Sequence, residues 1–323
     1  MTNPAIAHLR VDGATLHYET RGSGPLLLLI PGGTGGAASF AGVAGDLAAD
    51  YTVVSYDPRG LSRSPLDDPE AEQRVAQHAD DAFRLLELLS PDAPARVAGC
   101  SSGAIVALHL LTAHPGRIER VVAHEPPMVE VLPDAAEHRA LLARVQDTFR
   151  RDGLMPAAAE FAAGLRRPGN GPASGLRRPD TDPAASPTRP DTSPAGGPAR
   201  PDASPAAGPT RPDADPADGS AVAELPPEAA ARVERTMADM PYFLGRIVPS
   251  FMAYVPDVDR LKALSDRLVL AAGTDSRGEL PYRPAAYLAE RFGMELVHFP
   301  GGHTGLSTHP AEFGEQLRKV LSA

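Results

Sequence analysis

Residues 96–111 read R-V-A-G-C-S-S-G-A-I-V-A-L-H-L-L, and the rest of the chain is best understood outward from them. A short apolar run, Val97 and Ala98, ends in Gly99-Cys100-Ser101-Ser102-Gly103. A helical pattern follows, with Ile105, Leu108 and Leu111 on one face. This is strand, sharp turn, helix, and the turn reads G-x-S-x-G. Such an elbow forces its central residue into a strained backbone conformation at the end of a strand, while the small residues two before and two after let strand and helix approach closely. The Ser101 hydroxyl would then stand exposed above a sheet, at a helix N-terminus whose amides favour developing negative charge.

Strands and helices alternate on either side of the elbow. Alternating runs at 7–11 and 15–20 are joined across Asp12-Gly13, a strong hairpin signal. Residues 26–30 are continuously apolar, as expected of a central strand covered on both faces. Further strands are predicted at 51–56, 96–99, 118–123, 268–272 and 295–299. Helices are predicted at 71–89, 102–113, 284–292 and 310–321. This alternation means parallel strands joined by crossovers: a doubly wound α/β fold with a mostly parallel sheet and a hairpin at its start. In such sheets sites lie beyond the carboxyl ends of the strands.

Five motifs each fall directly after a predicted strand or span its end. They are L-L-L-L-I-P-G-G-T-G-G at 26–36, Y-D-P-R-G-L-S-R-S at 56–64, G-C-S-S-G at 99–103, A-G-T-D at 272–275 and P-G-G-H at 300–303. On these motifs the chain resembles the α/β-hydrolase superfamily over nearly all its length. The resemblance implies a helical cap inserted before the penultimate strand, where 137–150, 155–165, 228–240 and 242–254 carry helical patterns. The expected organisation is a core at 1–126 and 256–323, a cap at 127–165 and 222–255, and an insert at 166–221. Met237, Met240, Tyr242, Phe243, Phe251, Met252 and Tyr254 in the cap suit packing onto the core, and the underside of a cap is also a pocket's roof.

The insert is of another kind. Arg-Pro recurs at Arg167, Arg178, Arg189, Arg200 and Arg211, a period of 11 residues, and 166–220 contain thirteen prolines, seven arginines and seven aspartates. No copy carries an aromatic or β-branched aliphatic residue, so stacked copies would bury nothing and a solenoid is excluded. The prolines forbid helix and sheet ladders, and the expectation is a disordered loop of polyproline II character.

The resemblance makes Ser101 the nucleophile. A serine hydroxyl needs an adjacent base, and of ten histidines His303, after the last strand, stands where the family has its base. His109 and His124 are expected to be structural, and His309 to start the final helix. Asp275 is the expected third member, giving the family order Ser101, Asp275, His303. The turn before Asp275 is one residue shorter than the family often has, which leaves Glu125 or Glu279 as alternatives. The oxyanion donors implied are the backbone N–H groups of Ser102 and Gly33, the latter in a loop where Pro31 replaces the family's histidine. Cys100 is expected to be a small buried side chain, and Asp57-Pro58-Arg59-Gly60 a structural loop in which Ser62 occupies a position usually held by glycine.

Composition narrows the function classes. A net charge of −10 with no long basic cluster argues against a nucleic-acid partner. One cysteine permits no intramolecular disulfide, and the longest clean aliphatic run, 26–30, is too short to span a bilayer. The first ten residues lack the apolar core of a secretory signal, so a soluble cytoplasmic protein is expected. Histidine and cysteine spacings do not suggest a metal site, and the glycine loop lacks phosphate-binding signatures, so neither metal nor cofactor is expected. The reaction class implied is cofactor-independent hydrolysis of a small or medium apolar ester, lactone or related acyl substrate. C–C bond hydrolysis and perhydrolase chemistry use the same triad, and a catalytically silent binding protein can share the fold. Epoxide hydrolases and haloalkane dehalogenases carry an aspartate at the elbow, where this chain has Ser101. The sequence leaves oligomeric state open.

Overall fold

The computed structural model describes residues 3–166 and 227–322, with the side chains of residues 227–229 and 232 outside the description. The repeat insert expected at 166–221 therefore lies, apart from Arg166, outside the described residues.

Among the described residues, eight strands form one sheet in the order β1-β2-β4-β3-β5-β6-β7-β8. β1 (Ala5–Val11) and β2 (Ala14–Arg21) make the predicted hairpin, turning through Asp12-Gly13 with Gly13 at φ +73°. β2 also runs antiparallel to β4 (Thr52–Tyr56). Every other pairing is parallel: β3 (Leu26–Ile30) lies between β4 and β5 (Ala95–Cys100), and β6 (Ile118–His124), β7 (Leu268–Gly273) and β8 (Val297–Phe299) follow. Leu26 to Ile30 are all buried, as a strand covered on both faces requires.

The helices lie on the two faces. α1 (Ala41–Leu47) and α10 (Pro310–Ser322) pack with Phe299, Leu27 and Leu29 on one face, where Phe40, Val43, Leu47, Phe313 and Leu317 are buried. α2 (Val75–Leu89), α3 (Ser102–Ala113), α8 (Val258–Ala263) and α9 (Tyr282–Phe292) bury their apolar sides on the other. α1 has two glycines, Gly42 and Gly45, and no helical periodicity long enough to read; packing forms it rather than propensity. α2 starts at Val75 and not at 71, because Ala71 N–H bonds Asp68 O and the Gln73 side chain bonds Ala71 O in a preceding turn.

Between β6 and β7 lies the helical cap. Its described part comprises α4 (Ala135–Asp152), α5 (Leu154–Leu165), α6 (Pro227–Tyr242) and α7 (Val248–Met252). α4 and α5 pack together, with Leu142, Leu244, Val248, Met252 and Leu280 buried where cap meets core. Arg283, at the start of α9, holds Asp134 with two hydrogen bonds of 2.8 and 2.9 Å, and Leu280 N–H donates to Leu165 O at 2.9 Å. The expected helix at 242–254 is divided: Phe243–Ile247 are wound as a π-helix before α7 begins. Pro241, inside the last turn of α6, has no N–H to give to the ladder, and the wider turn follows it. The result turns Phe243, Ile247, Val248, Phe251 and Met252 toward the sheet's carboxyl edge.

Candidate active site

The elbow is built as its sequence requires. Ser101 has φ 53° and ψ −124°, a conformation costly for any side chain, and its N–H is held by His124 O at 2.9 Å. A Cβ on Gly99 would stand 2.3 Å from Gly103 O, and one on Gly103 would stand 2.3 Å from Ile30 O, so both must be glycine. α3 then begins at Ser102, with its N-terminus at Ser101.

His303 lies in the loop after β8. Its Nε2 is 3.1 Å from Ser101 Oγ, and its Nδ1 is 2.6 Å from Glu125 Oε2. The expected partner Asp275 is elsewhere. It is exposed on the loop after β7; its N–H bonds Gly301 O at 3.0 Å, and among the described residues its carboxylate meets only the Thr274 hydroxyl, at 3.4 Å. The placement of Asp275 beside His303 is thus corrected in favour of the alternative Glu125. Glu279 makes no contact with His303 either; its N–H closes a turn on Ser276 O.

The reason is reach. Glu125 follows β6, one strand nearer the elbow than β7, and the extra methylene of glutamate carries its carboxylate under the imidazole. The Glu125 side chain is fully buried, and its second oxygen accepts from Gly273 N–H at 2.8 Å and from the Ser276 hydroxyl. Burial pushes this carboxyl up, but the hydrogen bonds from His303 and Ser276 and the nearby His124 and His303 outweigh it, and its pKa falls below the ordinary value. Glu125 is an anion at neutral pH. Its backbone is strained as well, at φ 49°. Ser276, which fixes that carboxylate, carried no sequence signal.

The remaining candidates divide. Gly33 and Ser102 come together, with Gly33 N–H donating to Ser102 Oγ at 3.1 Å. The glycine turn around them is pinned by Asp57, whose buried carboxylate accepts from Ala37 N–H at 2.8 Å and from Arg63 Nε at 2.7 Å. Ser62 does adopt a glycine-like conformation, at φ 51°, held by hydrogen bonds from its N–H and hydroxyl to Asp239 of α6. Burial, with the nearby Glu125 charge, pushes the Cys100 thiol up to about 12, so it is not a thiolate beside the serine. His109 bonds the Tyr254 hydroxyl at 2.7 Å, His124 is buried against Phe299 and Phe313, and His309 is exposed next to Thr308. Among the described residues no group of three His, Cys, Asp or Glu side chains is placed to hold a metal ion, and no helix is long and apolar enough to cross a membrane.

Above Ser101 a cavity of about 260 Å³ opens between core and cap. Ser101, Ser102 and His303 stand at its floor, and Phe161, Leu165, Phe243, Ile247, Phe251 and Met252 form much of its apolar wall.

Comparison with known proteins agrees with this architecture. The family model described as alpha/beta hydrolase fold matches residues 25–208. An uncharacterized hydrolase of Bacillus subtilis (strain 168), YraK, is 31% identical over 317 residues, covering 97% of this chain and 94% of the relative. A zearalenone hydrolase of Bionectria ochroleuca is 35% identical over 122 residues, 36% of this chain and 45% of its own. Among solved structures, a thermophilic esterase from Thermogutta terrifontis superposes with a TM-score of 0.63 at 18% identity, covering 99% of this chain and 98% of that one. The enol-lactonase of Burkholderia xenovorans LB400 superposes with a TM-score of 0.60 at 16% identity, covering 98% and 100%. A strained strand–turn–helix elbow after β5, a cap between β6 and β7, the matching family model and a relative aligned over nearly its whole length agree: the chain belongs to the alpha/beta hydrolase family and is a hydrolase of that fold.

Proposed function

We propose that the protein is a serine hydrolase that cleaves a small or medium apolar ester or lactone through an acyl-enzyme, using Ser101, His303 and Glu125. The observation that carries this reading is the unbroken hydrogen-bonded line from Ser101 Oγ through both nitrogens of His303 to the buried Glu125 carboxylate, at 3.1 and 2.6 Å.

The chemistry follows from those distances. Glu125 accepts the Nδ1 proton of His303, which leaves Nε2 as the acceptor facing Ser101. Ser101 Oγ attacks the acyl carbon as its proton passes to Nε2. The imidazolium so formed lies against an anion fixed by Gly273 N–H and Ser276, so charge separation costs little reorganisation. The carbonyl oxygen, now negative, lies at the N-terminus of α3 beside the Ser102 N–H, with the turn carrying Gly33 on its other side. Collapse breaks the ester C–O bond, and His303 protonates the leaving oxygen. Water, deprotonated by the same nitrogen, then releases the acid from Ser101.

The walls of the cavity support an apolar acyl or alkyl group, and its volume of about 260 Å³ suits a small to medium one. The zearalenone hydrolase among the similar proteins supports hydrolysis, and the esterase and the enol-lactonase favour esters and lactones as the bond class. A soluble, cytoplasmic setting is proposed with it, on the acidic net charge of −10 and the single cysteine. The test is a series of p-nitrophenyl esters of rising chain length, with rapid quench and mass analysis. The expected result is a burst of nitrophenol and an acyl group on the peptide carrying Ser101. Turnover without any acylated Ser101, or full turnover in Ser101→Ala, would reject the reading.

A further inference from the structure

The Gly33 amide expected to face the substrate is already engaged. Its single hydrogen is directed at Ser102 Oγ, 3.1 Å away. Ser102 is itself 9% exposed and lines the cavity beside Ser101. Its oxygen accepts from Gly33, but its hydroxyl proton finds no acceptor among the described residues. Nor does this hydroxyl cap α3, since the residue at the cap position is Ser101 and no side chain bonds the first turn. A nearly buried hydroxyl with an unplaced proton, next to a nucleophile, needs an account.

The geometry points to the Ser102 side chain as a direct donor to the oxyanion. In this inference, which rests on Ser101 being the nucleophile, the negative oxygen is chelated by the backbone N–H and the side-chain O–H of Ser102. Gly33 acts through that hydroxyl instead of touching the substrate: a chain Gly33 N–H to Ser102 Oγ–H to oxyanion, in which each donor polarises the next. The hydrogen bond formed is additional to the triad, and no bond in Ser102 is broken. The alternative is that the hydroxyl is a placeholder that leaves Gly33 when substrate arrives. The two differ in sign. A donor is lost in Ser102→Ala, whereas removal of a placeholder frees the Gly33 amide.

The test measures kcat and KM on p-nitrophenyl butyrate for wild type, Ser101→Ala, Ser102→Ala and Ser102→Thr, together with the unfolding temperature of each. The expected result is a loss in kcat on the order of 10²-fold in Ser102→Ala, with KM changed less than about threefold, the size and pattern of a missing oxyanion donor. Ser102→Thr keeps the hydroxyl, and a water-sized space bounded by Tyr56, His78 and Val106 adjoins Ser102 to receive its methyl group. It should recover most of the rate. Turnover in Ser102→Ala equal to or above wild type would overturn the inference while leaving Ser101 in place. Turnover retained in Ser101→Ala would instead overturn the reading on which it rests. A second measurement is independent of any variant's folding: the crystal structure of wild-type protein with an alkyl trifluoromethyl ketone bonded to Ser101. Ser102 Oγ in hydrogen-bond contact with the adduct oxygen supports the inference; Gly33 N in contact and Ser102 Oγ turned away refutes it.

Discussion

Replacing Glu125 by glutamine tests the site where structure and sequence expectation part. The substitution preserves shape and removes one charge. In the native site Oε1 accepts from both Gly273 N–H and Ser276, while Oε2 accepts from His303. Glutamine has one oxygen for three donors. Two of them converge on the Oε1 position, so the amide oxygen settles there and the NH₂ group faces His303 Nδ1. That nitrogen must then accept, the ring proton moves to Nε2, and the atom 3.1 Å from Ser101 Oγ becomes a donor that cannot take the serine's proton. A wrong tautomer in an otherwise intact triad costs on the order of 10³–10⁴ in kcat, or about 4–6 kcal/mol at about 1.4 kcal/mol per decade. Asp275→Asn changes an exposed side chain whose one contact is Thr274, and should leave kcat within about twofold. Steady-state kinetics on one p-nitrophenyl ester, with circular dichroism to verify folding, decides the matter. A large loss in Asp275→Asn with Glu125→Gln near wild type would refute the argument.

Three further outcomes follow from the same physics. Ser101→Gly should raise stability by about 1 kcal/mol in urea unfolding while abolishing turnover, because glycine adopts φ 53° without the strain a side chain meets; Ser101→Ala should give no such gain. His124 is buried, and burial lowers its pKa from 6.5 to about 4, so between those values the unfolded chain binds a proton that the folded chain refuses. Acidification therefore destabilises the fold over that window, by about 2 kcal/mol at pH 5 for this residue, and His124→Leu should remove that share of the pH dependence between pH 7.5 and 5. Phe243→Ala removes part of the cavity wall beside Phe161, and the preferred acyl chain should lengthen by one to a few carbons, with each added methylene raising kcat/KM about fourfold; an unchanged optimum across the ester series would place the acyl group elsewhere.

Much of this molecule was legible because its signals are steric and local. The elbow demands glycine at 99 and 103, where a Cβ would strike backbone at 2.3 Å, and no rearrangement elsewhere can relax that demand. The run of four leucines and one isoleucine in β3 needs cover on both faces, and the hairpin turn needs Gly13 at positive φ. The approach of His303 to Ser101 was legible from its place after the last strand. Which carboxylate meets the other ring nitrogen was not, because the choice among Glu125, Asp275 and Glu279 depends on how far each strand's end lies from the imidazole, a tertiary distance with no local pattern. The short Gly273-Thr274-Asp275 turn was the available hint, since it points Asp275 outward and leaves the space beneath His303 to a longer side chain from β6. Ser62 occupies a position the family usually gives to glycine, and the structure gives it φ 51° with Asp239 holding it there. The π-turn at Phe243–Ile247 escaped a reading based on helical period, because a single wide turn leaves the apolar spacing nearly intact.

The central claim is that Ser101 is activated by His303. It is tested most directly by treating the folded protein with a fluorophosphonate and mapping the labelled peptide. The account predicts one stoichiometric adduct on Ser101, absent in His303→Ala; an adduct on Cys100 or Ser102, or labelling of Ser101 that survives the loss of His303, would contradict it.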